Sequence, residues 1–154
     1  MRLALVSHNA QSGDAIGNLI AEKLHFFLER GAEVRVFVET VQRLHPQLRP
    51  YVCCVPEPVA RGEAWEYLAT ADLIIVEFGQ AYALLGLLPL LAGSKPRIVF
   101  DYHGITPSKY WGGHNRRGID MGRQQCGLVW CSDSAIVHSC SMSRELQQVG
   151  RPSQ

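Results

Sequence analysis

The sequence predicts an α/β fold: a Rossmann-like, mostly parallel sheet with helices on both faces, in a single domain. Three observations lead there. Short, mostly apolar runs recur at residues 3–6, 34–38, 73–76 and 97–102, as expected of strands buried on both faces. The intervening segments carry helical spacing of apolar residues or turns rich in glycine and proline, the alternation of a doubly wound sheet. The chain has 154 residues, enough for one core and too few for two ordinary ones.

The elements follow in order. Residues 3–6, "LALV", form the first strand, and the polar loop "SHNAQSGDAIG" follows it. Ile16, Leu19, Ile20, Leu24, Phe27 and Leu28 recur at three- and four-residue steps, which is one face of an amphipathic helix. Gly31 stands where a helix C-terminal glycine belongs. Residues 34–38 are the second strand, so roughly the first 35 residues are a right-handed βαβ unit. Residues 39–63 carry Pro46, Pro50, Pro56 and Pro58, and only "YVCCV" reads as a short strand. "EAWEYLATAD" is a short helix, 73–76 a buried strand, 81–91 a mostly apolar helix and 97–102 the next strand. A helix is expected over 116–130 despite Gly118, Gly122 and Gly127. Residues 135–138 make the last strand, and Ser139 or Ser141 caps a closing helix ended by Gly150 and Pro152.

Fifteen basic and fourteen acidic residues give a formal charge of +1, so no electrostatic field recruits nucleic acid. Five cysteines without CxxC spacing argue against a disulfide framework and a zinc site. They fit small buried thiols in a reducing compartment, hence a cytoplasmic location. The apolar segment 81–93 falls short of the ~20 residues that span a bilayer. Its expected reach is peripheral contact with a membrane surface, or an exposed apolar interface.

In such sheets ligands bind beyond the C-terminal ends of the strands. That rule selects residues 8–15, 39 onward, 77–80 and 103–113. His103 ends the strand "IVFDY" and is followed by an irregular loop, a position from which an imidazole can exchange a proton with a bound ligand. Asp101 and His103 share one strand face, but no third ligand is evident, and no metal is expected. In "SGDAIG", Gly13 permits close backbone approach and Asp14 stands at a helix N-cap. The stretch is either a plain glycine turn or a loop where a sugar or phosphate meets helix N–H groups. It is neither GxGxxG nor a Walker A motif. Tyr110, Trp111 and Gly112-Gly113 offer a flat edge for stacking a sugar, or they fasten the loop to the domain. GxSxG and HExxH are absent.

"LVSHNAQSGDAIGNLIAEKLHFFLERGAEVRVFVE", "IVFDYHGITPSKYWGG" and "SDSAIVHSCSMSREL" occur in that order and span nearly the whole chain. Together they resemble the N-terminal, acceptor-side domain of family 4 glycosyltransferases of the GT-B fold. The resemblance implies that residues 1–154 are that domain, facing a C-terminal nucleotide-sugar domain that lies outside this chain, in cis or as a separate chain. It implies transfer of a hexose from a nucleotide sugar to a glycan or small-molecule acceptor, with no cofactor and no activity in the isolated half. His103 then matches the histidine that touches the transferred sugar, and Ser12, Gly13 and Asp14 match the first-loop positions near acceptor or diphosphate. Glu77, Tyr102, Gly104 and Tyr110 complete the expected substrate-binding set. Gly104 stands where this branch has asparagine, Glu77-Phe78 where Tyr-His is usual, and Ala32 where the "RGHEV" turn has histidine. The reading of another class is a non-catalytic Rossmann-like binding or assembly module.

Overall fold

The computed structural model describes residues 1–111 and 116–149. Its elements are β1 (Arg2–Ser7), α1 (Ala15–Leu28), β2 (Glu33–Val38), β3 (Val52–Cys54), α2 (Gly62–Thr70), β4 (Leu73–Phe78), α3 (Leu88–Leu91), β5 (Arg97–Tyr102), α4 (Arg116–Gln125), β6 (Ser134–Val137) and α5 (Cys140–Gln148). The six strands form one parallel sheet in the order β3-β2-β1-β4-β5-β6. The single-domain, Rossmann-like α/β fold is therefore what the chain adopts.

The sheet separates two apolar clusters, because successive side chains of a strand point to opposite faces. Leu3, Leu5, Val36 and Ile75 pack with Ile20, Ala21 and Leu24 of α1. Ala4, Val6, Ile74, Val76 and Phe100 pack with Tyr67, Leu68, Leu85, Leu88 and Leu146 on the other side. The order of strands places the topological switch between β1 and β4, where connections leave toward opposite ends of the sheet.

Local chemistry sets the ends of the elements. Asp14 caps α1 by accepting a hydrogen bond from the Gly17 N–H at 3.3 Å. A Cβ on Gly17 would stand 2.0 Å from the Gln11 carbonyl oxygen, so the loop after β1 folds directly onto α1. Of the two candidate caps for α5, Ser139 is the one used, accepting from the Met142 N–H at 3.2 Å.

Two segments depart from expectation. Residues 81–91 do not form one helix: Ala83–Leu87 is a 3-10 turn, and only Leu88–Leu91 is α-helical. Pro89 lacks an N–H and fits only a first helical turn, so the α-helix starts there instead of running through it. The segment is also not an exposed apolar face. Leu84, Leu85, Leu87, Leu88 and Leu91 are buried, and Leu90 alone of its leucines is open at 59%. The surface suggested for membrane contact or an interface is core, because these leucines cover the central strands. The helix expected over 116–130 ends at Gln125 and tightens into a 3-10 turn, Cys126–Cys131, around Gly127. No helix among the described residues is long and apolar enough to cross a membrane.

Candidate functional site

The C-terminal edge of the sheet gathers charge that the apolar strands would otherwise exclude. Glu77 near the end of β4 and Asp101 in β5 are register partners, and both are about 1% exposed. Each follows an apolar run and points to the face covered by α1. Burying two carboxylates side by side is costly unless they are paired. Lys23 of α1 supplies the pairing: its Nζ donates to Glu77 Oε1 at 2.6 Å and to Asp101 Oδ2 at 2.5 Å.

Each carboxylate keeps its second oxygen for an imidazole. Glu77 Oε2 lies 2.7 Å from His103 Nε2, and Asp101 Oδ1 lies 2.7 Å from His138 Nε2. A carboxylate only accepts, so both Nε2 atoms carry a hydrogen. The rings stack with centroids 4.9 Å apart and planes 13° apart. That spacing follows from the register. Tyr102 pairs with Val137, which puts His103 beside His138 one step on, and parallel strands run about 4.8 Å apart. His103 Nδ1 has no partner among the described residues and is not sealed from solvent.

A second pinned imidazole stands across the switch point. His8 follows β1, and its Nδ1 lies 2.9 Å from Glu39 Oε2, while Glu39 Oε1 accepts the Leu84 N–H at 2.8 Å. His8 is about one-third exposed, and its Nε2 is unpartnered among the described residues. The Tyr82 hydroxyl is shared between the carbonyls of Val6 and Glu77, at 3.3 and 3.2 Å, tying the end of β1 to β4. Burial holds that phenol protonated, its pKa well above the ordinary value. Gly79 packs between His103 and Ile16 of α1. A Cβ there would stand 3.0 Å from Ile16 Cδ1 and 3.5 Å from His103 Cβ.

The residues singled out from sequence take different places. His103 follows the C-terminal end of β5, and the loop of Ser12, Gly13 and Asp14 after β1 is exposed, its Ser12 N–H donating to the Arg43 carbonyl at 2.8 Å. Gly13 adopts φ +81°, which a glycine turn requires. Gly104 also has φ +81°. Asparagine is the side chain that best tolerates this region, so glycine in its place keeps the backbone and drops the amide. Glu77 is sealed, with both oxygens occupied by Lys23 and His103, so it positions His103 from beneath. Tyr102 is buried too, its hydroxyl donating to Glu145 Oε2 at 2.5 Å. Burial and that carboxylate push its pKa far above the usual range. Tyr110 is 70% exposed, with the Lys109 ammonium 4.9 Å from its ring, while Gly112 and Gly113 lie outside the described residues.

Lys23 and His138 were not found from sequence, and His8 and Glu39 fell within loops selected by position without being singled out as side chains. Lys23 reads as a solvated helix residue, and His138 gains meaning only through the β5–β6 register. With His138 in place, Asp101, His103 and His138 each offer a ligand atom within 4.8 Å of the others. A separate cavity of about 310 Å³ lies at the opposite edge of the sheet, lined by Arg2, Arg35, Glu63, Glu66, Tyr67 and Thr70. Arg2 and Arg35 stack on the Tyr67 ring there at 4.3 and 4.7 Å, so these groups are spent on packing.

No protein-family model matches the chain, and no curated protein matches it. Among solved structures it is similar to an α-glucosyltransferase in complex with UDP and a 13-mer DNA containing an HMU base. The TM-score is 0.59 and the identity 15% over 88% of this chain, which spans 37% of that one. A Klebsiella pneumoniae protein described as a candidate quinone reductase aligns with TM-score 0.49 and 12% identity, covering 97% of this chain and 82% of its own. At 15% identity the first likeness shows a shared Rossmann-like α/β fold.

Proposed function

We propose that this chain is the acceptor-side domain of a GT-B glycosyltransferase. It would form one wall of a cleft in which a hexose passes from a nucleotide sugar to an acceptor hydroxyl. The observation that carries the reading is the pair of imidazoles at the switch point, each pinned by a carboxylate through one nitrogen and open at the other. His103 and His8 end strands separated only by β4, so they stand on the order of 10 Å apart, which leaves room for a sugar ring between them. His103 Nδ1 meets the transferred sugar. His8 Nε2, oriented by Glu39, takes the proton of the attacking hydroxyl. The N-terminus of α1 and the Gly13 turn face the diphosphate. Similarity to a little over a third of a transferase chain solved with UDP supports this reading. The nucleotide-sugar domain, in cis or as a separate chain, supplies the rest of the charge stabilisation.

The test is a titration of the ¹⁵N-labelled chain with UDP, then with UDP-, GDP- and ADP-sugars, followed by NMR. Weak binding is expected, with shifts concentrated at residues 8–14, 79–81 and 103–106 and reduced by His103→Ala. Shifts confined to the Arg2–Arg35 edge, or none at millimolar nucleotide, would overturn the reading. Sugar transfer by this chain alone at an enzyme-like rate would refute the half-site part of it.

A further inference from the structure

We propose that Asp101, His103 and His138 form a binding site for one divalent transition-metal ion of the zinc or cobalt class. Three observations converge on it. First, the donor set is two imidazoles and one carboxylate, the chemistry such ions select. Second, the donors are placed by rigid elements: Asp101 lies within β5, and His103 and His138 leave the paired ends of β5 and β6 on one face. Asp101 Oδ1 is 2.7 Å from His138 Nε2 and 3.9 Å from His103 Nε2, and all three ligand atoms lie within 4.8 Å. Donors around a tetrahedral ion bound at 2.0–2.1 Å stand about 3.4 Å apart, so the observed gaps bracket the spacing required. The His138 side chain is 41% exposed, and closing the widest gap requires its ring to turn out of the stack on His103.

Third, the buried charges leave room for a cation. Glu77 and Asp101 bring two negative charges, and Lys23 brings one positive charge, held on Glu77 Oε1 and Asp101 Oδ2. Asp101 Oδ1 and Glu77 Oε2 remain on the side of the imidazoles. Lys23 thus fixes the carboxylates without covering the oxygens an ion would use, as an outer hydrogen-bond partner does in metal sites. On loading, each ring changes to its Nδ1–H tautomer: the Nε2 proton passes to solvent, Nδ1 takes one up, and the neutral imidazole offers its Nε2 lone pair to the ion. Glu77 Oε2, now 2.7 Å from His103 Nε2, loses the proton it accepts and becomes available as a fourth donor. The inference concerns the Nε2 side of His103 and stands apart from the glycosyl-transfer reading, which uses Nδ1.

The experiment is calorimetry and visible absorption on the chelator-stripped 154-residue chain titrated with Co²⁺ and Zn²⁺. One ion per chain is expected, with the intense bands of four-coordinate cobalt and Zn²⁺ displacing Co²⁺. His138→Ala, a change at an exposed side chain, should weaken binding by at least about tenfold with the circular dichroism spectrum unchanged. His103→Ala should do the same. Because Cys54 and Cys140 are exposed thiols, the C54S/C140S variant must retain binding. Absence of stoichiometric binding, survival of full affinity in His138→Ala, or loss of binding in the cysteine variant would each overturn the proposal. The nucleotide titration reads separately, so failure of one leaves the other standing.

Discussion

The two edges of the sheet both carry ion pairs, and they use them in opposite ways. At the N-terminal edge Arg2 meets Glu33 at 3.5 Å, Lys95 meets Asp72 at 2.9 Å and Arg97 meets Asp133 at 2.9 Å. Every one of those side chains is well exposed. At the C-terminal edge Lys23, Glu77 and Asp101 form their contacts with the carboxylates 0–1% exposed. Exposed pairs are screened by water and contribute little, so they serve as light staples on strand ends. A buried cluster is desolvated, and removing one member leaves a charge that nothing answers. The lesson is that the costly cluster is the one that positions imidazoles, at the edge where ligands bind in this fold.

Several measurements break or sharpen that contrast. Lys23→Met should have the largest effect. It leaves two adjacent buried carboxylates unpaired and should lower stability by about 3–5 kcal/mol in urea unfolding. The triple variant K23M/E77Q/D101N, which removes all three charges, should recover most of that loss. A small effect of Lys23→Met alone would mean the cluster is open to water. Next comes Glu77→Gln, which should cost about 1–3 kcal/mol. It should also displace the His103 ring, seen as altered imidazole ¹⁵N shifts and weaker nucleotide-induced shifts. An unchanged His103 spectrum would separate Glu77 from the site.

Gly104→Ala should cost about 1 kcal/mol, because φ is +81° and the new Cβ would meet Met142 Cε at 3.0 Å. Gly104→Asn should cost less than Gly104→Ala, asparagine being the more tolerant of that backbone. Equal losses for the two would place the penalty in the Met142 contact. At the opposite edge Arg97→Ala should change stability by under about 1 kcal/mol, and less still in high salt.

The smallest expected effect is a pH dependence at Asp133. The Ile98 N–H and then the Arg97 guanidinium hold its carboxyl below the ordinary carboxylate value. Its contribution is therefore present above the unfolded-state value and is lost as pH falls through the depressed one. Asp133→Asn should flatten the acid limb of a thermal-stability profile below about pH 4. An unchanged limb would assign acid lability to other groups.

Much of the fold was legible because its signals are local. The apolar runs of β1, β2, β4 and β5, the helical spacing of α1 and the Gly31 turn at φ +73° all come from interactions within a few residues. The segment 81–91 misled because apolar content alone does not distinguish a buried helix from buried 3-10 turns, and Pro89 decided between them. The position of His103 after the end of β5 was legible because the apolar run before it marks an internal strand. Glu77 and Tyr102 were expected to bind substrate, and their burial was not legible, since burial depends on what other elements cover.

By itself, then, the sequence determined most of the elements, the parallel class of the sheet and the place of one histidine at the C-terminal end of a central strand. Only the tertiary structure decided which charges meet. Lys23 lies 54 residues from Glu77 and 78 from Asp101, and Asp101 lies 37 from His138. No local pattern encodes such contacts. They arise because the order β3-β2-β1-β4-β5-β6 brings distant strands into register at about 4.8 Å, and because α1 lays one lysine across their ends. Burial then turns groups that look like ordinary surface charges into a site.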